Sequence, residues 1–210
     1  MPEDTKRRLP ELIRLGFQPG ASIKDATIEV HSIGSLVCPT GRIVAADPLV
    51  FPESPAFNRS VPPGQYPVLL SVARFANDAR VAFAMLRFAE QWPDRWELAV
   101  VPGADGSAGD LGYPVDAGLG CFMDADAQTA LLARLEASPD LNYYDDVLGD
   151  ELDAHSDPKG TWQWTMHQPD PRKPSTLAVF SSGFGDGAYP TYWGIWGDRV
   201  VSLVTAFLWW

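Results

Sequence analysis

The stretch that most constrains what this 210-residue chain can fold into is residues 177–210. Three apolar, β-branched and aromatic runs, 177–180, 189–195 and 200–207, are separated by Gly183-Phe184-Gly185-Asp186-Gly187 and by Trp196-Gly197-Asp198. Short runs bounded by glycine and aspartate read as strands joined by turns, so the segment predicts an antiparallel meander at the centre of the core. Asp186 stands between two glycines, where backbone either folds back tightly or approaches a ligand closely.

Upstream, residues 26–30 and 34–46 read as strands, with Pro39-Thr40-Gly41 as a hairpin turn inside the second. A second β block covers 66–72, 80–88 and 96–101; in 80–88 the apolar positions fit no single period, which leaves a helix in competition with a strand. Residues 2–15 carry Leu9, Leu12 and Ile13 ahead of Gly16, the pattern of a short amphipathic helix with a glycine stop. Asp124 or Asp126 precedes Ala130, Leu131, Leu132 and Leu135, an N-cap followed by an apolar stripe. Residues 144–155 predict a second, acidic helix with Val147, Leu148 and Leu152 inward, and 162–166 alternates as a strand. The expected fold is therefore α+β, predominantly antiparallel sheet in two sandwich-like β blocks, with two or three short helices. One domain over 1–210 is expected, with a sub-boundary at the glycine-rich residues 102–112.

The net charge of −11 opposes a nucleic-acid or anionic-membrane partner, because the phosphate term that supplies most nonspecific affinity is here repulsive. A basic protein is the complementary partner. Thirteen Asp and Glu lie between Asp105 and Asp157 against one basic residue, Arg134, so this middle segment builds any charged face. Solvated surface is the plainer reading of the same residues. Two cysteines, Cys38 and Cys121, make no disulfide scaffold and have no metal-ligand spacing. With no apolar leader and no run of the ~18 apolar residues that a span needs, a soluble cytoplasmic protein is expected.

The phrases Gly64-Gln65-Tyr66-Pro67-Val68, Gly112-Tyr113-Pro114-Val115 and Gly187-Ala188-Tyr189-Pro190-Thr191 recur. Proline is tolerated at the first residue of a strand and forces the preceding Tyr extended, so each copy predicts a strand start. Residues 39–48, 61–68, 115–124, 183–194 and 201–204 together resemble the bacterial family of unknown function DUF4241 over about residues 35–210. The resemblance implies no defined activity. Small acidic bacterial proteins of this kind often neutralise toxins, so an immunity-type role is the expectation that goes with it.

Several groups are candidates for chemistry. Cys121, among Gly118 and Gly120 and ahead of a helix, is a candidate nucleophile if the helix N-terminus lowers its pKa; a buried structural thiol is the alternative. It also needs a base, and His31, His155 and His167 are all distant in sequence. Asp116, Asp124, Asp126 and Asp186 offer hard oxygen ligands, but not in the spacing of a calcium loop, and no cofactor or metal is expected. The candidate binding residues are Asp116, Asp124, Asp145, Asp146 and Asp186 for charge. Tyr189, Tyr192 and Trp196, with Trp209 and Trp210, form a candidate aromatic contact surface. The leading expectation is a non-catalytic acidic binding protein with a basic protein partner. The alternative is a hydrolase or transferase using Cys121 or the Asp116/Asp186 pair.

Overall fold

A computed structural model describes residues 3–104 and 112–208. Most of the glycine-rich 102–112 segment, and Trp209 and Trp210, lie outside the described residues. Helix α1 (Glu3–Gly16) leads into β1 (Ser22–Ile23), β2 (Ala26–Cys38), β3 (Ile43–Ala46), β4 (Gly64–Arg74), β5 (Ala79–Arg87) and β6 (Arg95–Leu98). Then follow β7 (Tyr113–Val115), β8 (Leu119–Asp124), α2 (Ala125–Ala137), a π-helical turn (Tyr144–Leu148), and α3 (Gly149–Asp153). The remaining strands are β9 (Trp164–His167), β10 (Leu177–Ser181), β11 (Gly187–Tyr189), β12 (Thr191–Trp196) and β13 (Arg199–Ala206). Among the described residues no helix is long and apolar enough to cross a membrane.

The strands form a seven-stranded sheet in the order β1-β2-β4-β5-β13-β12-β6, a four-stranded sheet β3-β8-β10-β9, and a ribbon β11-β7, with every pairing antiparallel. The two larger sheets pack face to face. Leu36, Val68, Leu86, Trp193 and Leu203 of the large sheet meet Phe122, Ala178 and Phe180 of the small one. The outer face of the large sheet is covered in part by α1, whose Leu9, Leu12 and Ile13 bury against Ile28, Phe83 and Val204. The outer face of the small sheet is covered by Leu131 of α2, Leu148 of the π-turn and Leu152 of α3. The molecule is thus α+β and dominated by antiparallel sheet, with three short helices.

Burial on both faces explains why these strands read as continuous apolar runs rather than as alternation. In β10, Leu177 and Val179 face the helices while Ala178 and Phe180 face the other sheet; in β8, Cys121 and Met123 alternate with Phe122 in the same way. The competition between helix and strand over 80–88 has the same origin. β5 sends Phe83 and Met85 toward α1, and Ala84 and Leu86 into the inter-sheet core.

Two expected hairpins are instead places where the chain changes sheet. β2 pairs with β4, and β3 pairs with β8, so Pro39-Thr40-Gly41 carries the chain from the large sheet to the small one. Gly41 has φ +68°, and a Cβ there would lie 1.9 Å from the Val61 carbonyl oxygen, so no larger residue fits this corner. Likewise β10 belongs to the small sheet while β12 and β13 pair in the large one. The C-terminal meander is therefore a hairpin, β12–β13, preceded by a crossing at 183–187. Two of the Tyr-Pro copies mark that crossing by pairing with each other: Tyr113 faces Tyr189 and Pro114 faces Ala188 in the β7/β11 ribbon. The first copy also opens a strand: Gly64 is the first residue of β4, with Tyr66 and Pro67 its third and fourth.

Candidate functional site

Six carboxylates of the acidic middle segment stand at the surface. Glu136, Asp140, Asp145, Asp146, Asp150 and Asp153 are all exposed, and among the described residues none of these six is in an ion pair. Carboxylates elsewhere differ: Asp126 meets Lys173 at 2.7 Å, Asp170 meets Arg172 at 2.9 Å, and Glu29 meets Arg74 at 2.6 Å. Asp145 and Asp146 lie in the π-turn. Their side chains hold its start, with the Asn142 backbone N–H donating to Asp146 Oδ2 at 2.9 Å and Asn142 Nδ2 donating to Asp145 Oδ2 at 2.6 Å.

The π-turn has a packing cause. Tyr143 and Leu148 are both buried, and five steps of an α-helix would set them about 140° apart around the axis. Widened i→i+5 bonding, with the Gly149 N–H donating to the Tyr144 carbonyl, keeps both against the small sheet. Tyr143 then reaches His167 on the edge strand β9. The Tyr143 hydroxyl lies 2.7 Å from His167 Nε2, and His167 Nδ1 lies 3.0 Å from Glu151 Oε1 of α3. Thr165 Oγ1 donates to Glu151 Oε2 at 3.0 Å, and the Arg134 guanidinium stands 5.4 Å from the Tyr143 ring centroid.

His167 is 3% exposed, and that burial holds its pKa below the ordinary imidazole value against the opposing pull of Glu151. A neutral ring with Nδ1–H donating to the carboxylate leaves Nε2 free to accept from the phenol. Burial also pushes Tyr143 up to about 12, with Arg134 opposing and Glu151 adding to the rise. The phenol is enclosed, so this carboxylate–imidazole–phenol chain clamps the π-turn and α3 to the sheet edge rather than presenting a nucleophile. It fixes the backbone that carries Asp145, Asp146, Asp150 and Asp153. Sequence reading passed over it by weighing His167 only as a partner for Cys121. The available signal was Thr165 and His167 sharing the inward phase of a strand, two polar residues that burial obliges to find partners.

The other expected site residues divide sharply. Cys121 lies in the middle of β8, fully buried between Val44, Ala46 and Val179, and burial pushes its thiol up rather than down. It does not sit at the helix N-terminus, and among the described residues no hydrogen bond links it to a histidine. The nucleophile reading is thereby corrected to the structural one. Cys38 is also buried and raised to about 12, chiefly by desolvation.

Asp124 is 0% exposed and belongs to the framework rather than to a binding surface. It caps α2 by accepting from the Asp126 N–H at 2.9 Å, and it grips the sheet-changing corner. There its Oδ2 accepts from the Thr40 and Gly41 N–H groups, each at 3.1 Å, and its Oδ1 accepts from Thr40 Oγ1 at 2.9 Å. Asp47, not anticipated at all, plays the same part beside β7. It accepts from the backbone of Asp116 at 2.9 Å, Ala117 at 2.7 Å and Leu49 at 2.9 Å.

Asp116 and Asp186 are exposed, each next to a residue of the Val115–Gly187 pair that ends the β7/β11 ribbon. Tyr189 and Tyr192 are buried, which corrects their expected place on a contact surface. Tyr189 donates to the Gly185 carbonyl at 2.6 Å, and Tyr192 lies in the layer beneath α1, its hydroxyl raised to about 12 by burial. Of that aromatic set, Trp196 remains outward at 45% exposure.

Among the described residues no three His, Cys, Asp or Glu side chains are placed to hold a metal ion. No curated protein and no solved structure matches the chain. Residues 36–205 match the model of the family described as "Protein of unknown function (DUF4241)", which covers most of the chain, and the protein belongs to that family.

Proposed function

We propose that this is a non-catalytic binding protein whose acidic helical face recognises a basic protein partner, with immunity-type neutralisation of a basic toxin as its most concrete form. One observation carries the reading. Six exposed carboxylates lie within residues 136–153 and none is in an ion pair among the described residues, and four of them, Asp145, Asp146, Asp150 and Asp153, ride on the π-turn and α3 that Glu151, His167 and Tyr143 clamp. A fixed field of one sign raises the encounter rate with an oppositely charged surface, and pre-fixed backbone lowers the ordering cost on binding. With Tyr189 and Tyr192 buried, support for the reading comes from these carboxylates rather than from those two tyrosines.

The test compares capture by the tagged wild-type chain and by the Asp145→Lys/Asp146→Lys variant from lysate of the native host, over a salt series. A basic protein held by the wild type, released as salt rises and lost with the charge reversal is the expected result. Retention indifferent to both salt and charge reversal overturns the proposal.

A further inference from the structure

The outer face of the large sheet is only partly covered. α1 packs over the end that holds Ile28, Phe83 and Val204, whereas Val30, Leu69, Trp96 and Leu98 belong to the same layer but remain half-buried. Trp92 packs edge-on against Trp96, with ring centroids 6.1 Å apart, and is 40% exposed. Along β12, Tyr192 points outward into this layer while Trp193 and Ile195 point to the inter-sheet core. Strand alternation therefore puts Trp196, 45% exposed, on the same outer face. Between them, Gly194 leaves room for the Trp96 ring, which a Cβ there would approach to 2.9 Å. Three tryptophans share one apolar face, and two of the five large apolar side chains exposed among the described residues lie on it. Such a patch marks an interface.

Charge narrows what covers it. Residues 105–157 hold thirteen acidic side chains and one basic, so the rest of the chain holds fourteen acidic and fifteen basic and is close to neutral. The acidic turns cover the small sheet, on the far side of the sandwich from the tryptophans. Beside Trp92 stand Arg87 and Glu90, 3.4 Å apart and cancelling in charge, and the neighbouring α1 carries four basic residues against three acidic.

A basic partner is drawn to the acidic side instead, and an acidic one is repelled by the net charge of −11. A second copy docked across a two-fold axis meets a face as neutral as its own and holds the two acidic sides at opposite ends of the pair. An isologous contact is also self-complementary, so an Arg and a Glu on one face find their counterparts on the other. We infer that the tryptophan-bearing outer face of the large sheet joins two copies of this chain in a symmetric dimer. Trp92 and Trp196 together expose less than one whole tryptophan, which sets the contact at the low end of interface size and half-association at about 10–100 µM.

Sedimentation velocity on the intact chain over about 5–500 µM, at low and high salt, measures the association. The mass should rise from one chain toward two across this range. Salt should strengthen the dimer, because it screens the repulsion between two chains of charge −11, whereas binding of a basic protein to the acidic side weakens with salt. Trp92→Asp and Trp196→Asp, changes at exposed rings, should each weaken association about tenfold or more with the melting temperature unchanged. Asp145→Lys/Asp146→Lys should not weaken it. Hydrogen exchange reads the same contact in the wild type without a substitution: amides around Trp92 and Trp196 should slow as concentration rises, and those of the π-turn and α3 should not. A chain that stays monomeric at the top of the range leaves the face to a foreign partner and overturns the inference. So does a dimer undiminished in either folded tryptophan variant, or slowing on the π-turn and α3 in place of the tryptophans.

Discussion

Asp124→Asn tests whether the corner between the two sheets is held by one buried carboxylate. The substitution keeps the shape and removes one acceptor. Asp124 Oδ2 accepts from the backbone N–H groups of Thr40 and Gly41, and Oδ1 accepts from Thr40 Oγ1 and the Asp126 N–H. An asparagine amide has one acceptor oxygen; at the Oδ2 position it still serves the Thr40 and Gly41 N–H groups and Thr40 Oγ1, which lies 2.9 Å from either oxygen, and its NH₂ then faces the Asp126 N–H. One orphaned donor costs about 1–3 kcal/mol, and at about 2–4 °C per kcal/mol for a chain of this size the melting temperature should fall by about 2–12 °C. Guanidinium unfolding followed by tryptophan fluorescence measures the loss as a lower midpoint with unchanged slope. Asp186→Asn, at an exposed turn, is the control and should stay within about 0.5 kcal/mol. If Asp124→Asn costs no more than that control, the corner is held by packing alone.

Two further outcomes follow from the buried titratable groups. Cys121 and Cys38 should resist a thiol reagent in the native state and react only on unfolding, since both are buried and both thiols are raised; rapid native-state labelling of Cys121 would restore the nucleophile reading. For His167 the folded pKa lies below the unfolded value of about 6.5, so the unfolded chain binds more protons in the interval between them. Its contribution is complete above about pH 6.5 and is lost as pH falls through that value toward the folded pKa. Stability should therefore drop on acidification by up to about 1.4 kcal/mol per pH unit in that window, and His167→Gln should flatten this part of the profile. Parallel urea series on the two proteins decide it, and identical slopes would remove His167 as the cause.

Strands were legible in this sequence because composition alone marks them. In β8 and β10 nearly every residue is apolar since both faces are buried. That same property hid which side was which, so Tyr189 and Tyr192 read as outward when they point into packed layers. Connectivity was less legible. Pro39-Thr40-Gly41 has the turn chemistry of a hairpin, and the residue that makes it a corner, Asp124, lies 84 positions away. The clamp of Tyr143, Glu151 and His167 was hidden for a related reason: its members sit 16 and 24 residues apart on elements of different period. The N-cap, left open between Asp124 and Asp126 and found at Asp124, and the inward Leu148 and Leu152 depend on neighbours within a turn or two, which is why they were legible.

The strand order bears on how the chain is assembled as it is made. β13 lies between β5 and β12, and β12 is the strand that connects β6 to the rest of the large sheet. β3 likewise waits for β8, more than 70 residues later. A ribosome delivers the middle of the large sheet last. Until β13 emerges, β5 presents an unpaired apolar edge and the inter-sheet core lacks Trp193 and Leu203, a state open to mispairing. Pairings of such long range also make closure slow once the strands are present. Translation speed through residues 177–206, and chaperone contact with β5, should therefore govern yield more strongly than any change near the amino end.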